Sequence, residues 1–251
     1  MFHCMKNTLV SLTLLLSGVP LLAQTGLHMG FVAGGQYTMM LNDQPLDGVG
    51  KGFAYVPSFG GTGMFRVGIN FLHQVGIHTG VAYAEQVQAY NTVDDFGVQT
   101  KTSRHASYFK IPLLLHLSSI PGSKMFIMEI GPQIGLLNRA RIDVNDVQQQ
   151  FPFGTELLWK ATDLEIAWSL GAELAVSEYV RFVVQHRGDY GILDFEKKDF
   201  VSNGVPFYPV NRGKCNNLSL GLVGGMNFLI KGTRSKVTRH YKGRTWRNNW
   251  R

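Results

Sequence analysis

Cysteine is nearly absent from this chain: Cys4 and Cys215 are the only two in 251 residues. No CxxC pair or cysteine-rich zinc site can be built from them, and once a leader is removed no intramolecular disulfide can form. Cys215 is expected to be a free thiol near a loop. An uninterrupted apolar stretch of transmembrane-helix length is missing too. The run from Thr8 to Leu22 is shorter than the ~20 residues that a spanning helix needs. Lys6 precedes it and Leu21-Leu22-Ala23 closes it before Gln24, so it reads as a secretory signal peptide over residues 1–23. Any later membrane span must be β. Acidic residues are missing from 231–251, which carry eight of the 24 Lys and Arg residues; the other 16 bases face 17 acids. The formal charge of +7 therefore belongs to a basic tail, and the body is neutral.

Catalytic and metal signatures are equally sparse. There is no HExxH, no calcium-loop spacing and no G-x-S-x-G element. Gly60-Gly61-Thr62-Gly63 opens no helix, which removes the phosphate-cradle reading and leaves glycines in a crowded strand. Asp94-Asp95 and Asp143, Asn145 and Asp146 read as solvated loop groups. His78, His116 and His186 lie on strands, with His186 on the apolar parity, and Ser107 with His105 is the one local serine–histidine pairing near an outer rim. No catalytic residues, cofactor or metal centre are expected.

What is present is alternation. Apolar residues recur at every second position over about 27–37, 59–71, 75–83, 109–117, 126–134, 164–176, 180–190 and 218–230. That period belongs to strands with one apolar face. Their connections alternate between short (72–74, 118–124 with Pro121-Gly122, 177–179) and long polar stretches (38–58, 84–108, 135–163, 191–217). An antiparallel up-and-down transmembrane β-barrel of eight strands, with short periplasmic turns and long external loops, has this pattern. The barrel is placed at 24–230, with a periplasmic tail over 231–251.

The second face decides which way the strands point. It carries small residues and charges of both signs, including Arg66, Lys110, Glu129, Glu165, Glu173, Arg181 and Arg187. A water-facing sheet would be coated in Lys, Glu and Thr, whereas a narrow lumen needs small side chains and paired charges. These seven are the expected lumen polar network. Phe71, Phe126, Phe182 and Phe228 fall at one end of the apolar face, and Tyr37, Tyr83, Phe109 and Tyr190 at the other, as two interfacial girdles require.

The segments Tyr108-Phe109-Lys110-Ile111-Pro112-Leu113-Leu114-Leu115, Glu129-Ile130-Gly131-Pro132-Gln133-Ile134-Gly135, Gly171-Ala172-Glu173 and Leu218-Ser219-Leu220-Gly221 resemble the PorT-like family of small outer-membrane β-barrels. The resemblance implies an eight-stranded barrel without known catalysis, some of whose relatives assist a protein-secretion machine. Such barrels usually end at their last strand, and here residues 231–251 follow it.

In the tail, Arg234, Lys236, Arg239, Lys242, Arg244, Trp246, Arg247 and Trp250 interleave charge with aromatics. A periplasmic location excludes nucleic acid and leaves a periplasmic or outer-membrane protein, cell-wall polymer or lipid as partner. Phe151, Phe153, Trp159, Phe207 and Tyr208 offer either an external docking surface or packing within the loops. The expected role is a non-enzymatic, membrane-anchored binding or assembly component. The alternatives are a small ligand-uptake or diffusion barrel and a rim-sited outer-membrane lipid hydrolase acting through Ser107.

Overall fold

The computed structural model describes residues 26–42, 54–71, 74–93, 97–119, 124–148, 159–177, 179–194, 201–202, 205–206, 215–231, 240–241 and 244–245. Eight long strands carry the fold: β1 Gly26–Asn42, β2 Ser58–Asn70, β3 Val75–Val93, β4 Gln99–Ser118, β5 Lys124–Val144, β6 Thr162–Ala175, β7 Val180–Gly191 and β8 Cys215–Lys231. Each pairs antiparallel with its sequence neighbours, and β8 returns to β1 along a register from Leu27↔Lys231 to Asn42↔Cys215. The hydrogen-bond ring is closed, so no long edge is left unpaired.

Alternation sorts the side chains. On β4, Phe109, Ile111, Leu113 and Leu115 are exposed, while Tyr108, Lys110, Leu114 and His116 are buried. The exposed set faces outward and continues across every strand, from Phe31 on β1 to Leu222 on β8. A continuous apolar belt on the outside and polar groups inside is the inverse of a soluble barrel, and lipid is the solvent it fits. Phe71, Phe126, Phe182 and Phe228 all lie outward at the short-turn end. At the other end Tyr83 meets Phe109 edge to face at 5.7 Å between ring centroids, and Tyr37 meets Phe59 at 5.8 Å.

The short turns are tied by backbone bonds such as Phe71 N–H to Val75 O (3.0 Å) and Val176 N–H to Val180 O (3.0 Å). The opposite end departs from expectation. Stretches 84–108 and 135–144, read above as loop, are mostly strand: β3, β4 and β5 run to 19, 20 and 21 residues. A tilted membrane crossing takes about 9–11. The excess rises past the Tyr83–Phe109 girdle, where outward positions turn polar at Glu85, Ser107, His105, Arg139 and Arg141. Polarity alone had marked the segment as loop, whereas a strand leaving the bilayer keeps its ladder and only changes its outward residues. A bulge sits at this exit, because Ser107 faces Arg139 while Tyr108 faces Leu137 and Asn138 is the extra residue. β5 ends in a tight turn in which Asn145 (φ 50°) and Asp146 (φ 63°) take the left-handed region and Val147 folds back on Val144. That is the two-residue hairpin geometry favoured by Asn and Asp.

Candidate functional site: the filled lumen

Inward positions of all eight strands meet in two polar groups. In the group nearer the short turns, Arg66 on β2 is the hub. Its Nε donates to Asn227 Oδ1 (2.8 Å), Nη1 to Glu129 Oε1 and Gln185 Oε1 (3.3 Å each), and Nη2 to Glu173 Oε1 (3.4 Å). Arg181, reaching in from the rim, adds Nη1 to Glu173 Oε2 at 3.2 Å. Glu129 is held at its other oxygen by Ser169 Oγ (2.9 Å) and Gln185 Nε2 (3.0 Å). Two guanidinium groups thus face two carboxylates.

In the second group, Lys110 Nζ sits 2.8 Å from Glu165 Oε2 and 3.2 Å from Asp189 Oδ2. Arg187 Nη2 donates to Gln133 Oε1 at 2.6 Å, Gln133 donates in turn to Glu165, and Ser219 Oγ donates to Asp189 Oδ2 at 3.1 Å. Two cations again face two anions, and a further buried carboxylate beside them, Asp163, accepts from Asn217 Nδ2 at 2.8 Å. Pairing within each group is what a low-dielectric interior demands, because an unpaired charge there costs several kcal/mol.

All seven expected lumen residues point inward. Six are buried, and Arg181 is the exception, with its side chain 23 % exposed at the mouth. Sequence reading missed Asp189, Asn227 and His28; Asp189 shares inward parity with Arg187 on β7, whereas none of the seven expected residues lies on β1 or β8. It also missed that His78 and His116 converge on Glu129. His78 Nδ1 lies 2.6 Å and His116 Nδ1 3.2 Å from Glu129 Oε1, and His28 Nε2 lies 2.8 Å from His78 Nε2. Spacing along the chain could not reveal this, since the four residues come from β1, β3, β4 and β5.

Other expectations resolve as follows. Cys215 is a free thiol but buried, in an apolar cluster with Met40, Ala140, Ile142 and Trp159. Trp159 therefore packs inward rather than forming a docking surface; Phe151, Phe153, Phe207 and Tyr208 lie outside the described residues. So do the leader 1–23 and tail residues Arg234, Lys236, Arg239, Lys242, Trp246, Arg247 and Trp250; of Arg244 only the backbone is described. His186 is exposed on the lipid face, as its parity implied. His105, on the outer wall above the girdle, is bracketed by carboxylates: Nδ1 is 3.4 Å from Glu85 Oε1 and Nε2 3.3 Å from Asp143 Oδ2.

Among solved structures, the chain is similar to Neisserial surface protein A (11 % identity, TM-score 0.41, covering 80 % of this chain and 96 % of that one). It is also similar to the outer membrane protein OprG from Pseudomonas aeruginosa (10 %, 0.43, 83 % and 97 %). A third is Ail, the attachment invasion locus protein of Yersinia pestis, solved with the heparin analogue sucrose octasulfate (10 %, 0.38, 81 % and 99 %). No curated protein matches. The model of the outer membrane protein beta-barrel domain matches residues 22–196, more than half of the sequence and seven of the eight strands, and the chain belongs to that family.

Proposed function

We propose that this outer-membrane barrel, a PorT-like member of its family, is a non-enzymatic anchor that presents a binding surface, accessory to an envelope assembly such as protein secretion. The observation that carries the reading is the projection of β3, β4 and β5 beyond the aromatic girdle as a continuous polar sheet. A barrel that only crossed the membrane would need no such extension. The filled lumen supports the same reading, because an eight-stranded barrel is just wide enough for side chains to occupy and the inward charges of both polar groups are paired across it.

Diffusion and uptake are the alternative, and they predict unitary conductance in planar bilayers. The hydrolase alternative requires His105 Nε2 to serve Ser107, but that nitrogen faces Asp143. Partners are a periplasmic or outer-membrane protein, through the extension or the basic tail, with no nucleic acid. The test is affinity capture from envelope extracts with the full chain, with a chain ending at Ile230, and with one in which Val87 is joined to His105 by a two-residue turn. Partners lost on either truncation support the anchor reading. Step conductance in the full chain would overturn it.

A further inference from the structure

The lower polar group contains more nitrogen than ion pairing needs. Arg66 and Arg181 already balance Glu129 and Glu173, yet two imidazoles reach Glu129 and a third, His28, reaches one of those two. His78 and His116 stack with centroids 4.0 Å apart and an interplanar angle of 20°, and His28 meets His78 edge-on at 4.5 Å. Ligand atoms of His78, His116 and Glu129, all buried, lie within 4.8 Å of one another.

The backbone makes room for the rings. His28, Gly68 and His78 occupy one level of adjacent strands, in the pairs His28↔Gly68 and Gly68↔His78. A Cβ on Gly68 would collide with both imidazoles. The missing side chain lets two histidines from non-adjacent strands touch across it. A plain hydrogen-bonded plug requires neither convergence nor cleared space.

We propose that His78, His116 and Glu129 form a binding site for a divalent transition-metal ion of the zinc type inside the short-turn half of the lumen, with His28 Nε2 bonded to Nε2 of His78 as a supporting group. Imidazole nitrogen with one carboxylate oxygen selects such borderline ions over calcium or magnesium, which take oxygen ligands. Bonds of about 2.0–2.2 Å in a tetrahedron set ligand atoms ~3.3 Å apart. His116 Nδ1 already stands 3.2 Å from Glu129 Oε1, the 2.6 Å His78 contact has to open, and the three ligand atoms, within 4.8 Å of one another, have to draw in to that spacing. Ser169 and Gln185, bonded to Glu129 Oε2, fix the carboxylate from behind as supporting groups do at metal centres. Arg66 keeps Glu173, Gln185 and Asn227 when Glu129 Oε1 turns to the metal. Entry is from the short-turn mouth: His28 is near the start of β1, and His116 near the end of β4. In an outer-membrane barrel that mouth is periplasmic.

The test uses the full chain folded in detergent, stripped with chelator and titrated with Co²⁺, then Zn²⁺. One equivalent of Co²⁺ should give visible d–d bands that Zn²⁺ abolishes, and Zn²⁺ should raise the temperature at which heat-modified gel mobility appears. His116→Gln and Glu129→Gln should weaken binding by about 10-fold or more, and His186→Gln on the lipid face should leave it unchanged. X-ray absorption of the Zn²⁺-loaded wild-type protein should count two imidazoles, a readout that needs no variant to fold. Absence of Co²⁺ bands, one imidazole or none around Zn²⁺, or full affinity in a folded His78→Gln/His116→Gln double variant would overturn the proposal.

Discussion

Arg66 touches Glu129, Glu173, Gln185 and Asn227 at once while only 1 % exposed, which makes it the residue on which the lower lumen depends. Arg66→Met fills much of the same volume but leaves a net negative charge among buried carboxylates. Breaking one side of such a buried group costs about 3–5 kcal/mol, and urea unfolding in lipid vesicles should show a loss of that order. Arg181→Met removes a cation from the same carboxylate, yet Arg181 is partly solvated, so its loss should cost only about 1 kcal/mol. Equal losses would mean that water reaches Glu173 from the mouth and that the lower lumen is not dry. Arg66 itself was legible in the sequence as an inward charge among glycines. Its partners were not, because alternation gives a residue's face but not its height around a closed ring of tilted strands.

At the level of strands, the assignment of faces is open to a direct test on β4, where Leu113 and Leu114 are neighbours with opposite fates: 55 % and 2 % exposed. Leu113→Arg puts a charge into the lipid and should cost about 2–4 kcal/mol near the bilayer midplane, seen as reduced insertion into vesicles. If instead the outer face were water-facing, the same change would improve solubility and leave folding untouched. The closing seam offers a second test. A Cβ at Gly225 on β8 would run into the Phe31 carbonyl and Val32 backbone of β1, so Gly225→Val should block β1–β8 closure and abolish the compact, heat-modifiable form on gels. All eight crossings were legible from alternation, since period two survives wherever one face meets lipid. The upper halves of β3 and β4 were not. Beyond Tyr83 and Phe109 no lipid enforces an apolar outward face, so outward Glu85, His105 and Ser107, beside the inward Gln86, Gln88 and Arg104, look like loop although their ladder continues through Val93↔Gln99.

The whole molecule divides at the girdle into a body held from inside by paired charge groups and from outside by lipid, and an extension held by its own ladder and by one apolar cluster, in which Ala140 and Ile142 of β5 meet Met40, Trp159 and Cys215. Within the body, both faces of every strand are satisfied by something other than the strand itself. Above the girdle β4 has β3 and β5 beside it, and Arg104 stacks over Tyr90 at 5.6 Å, but the outer wall meets water. A solvated outer face and the absence of a lipid belt place a segment at the lower end of local stability. Hydrogen exchange of the intact barrel in detergent should therefore show the amides of 87–104 opening well before those of 75–84 and 108–116. Joining Val87 to His105 by a two-residue turn should leave exchange of the body unchanged. Protection of the two regions that rose and fell together would mean that the extension is part of the folding unit; separate protection means that external surface can be exchanged without disturbing the lumen. That independence is what a membrane-anchored binding element requires, since its contact surface must vary while the charge-paired interior is kept.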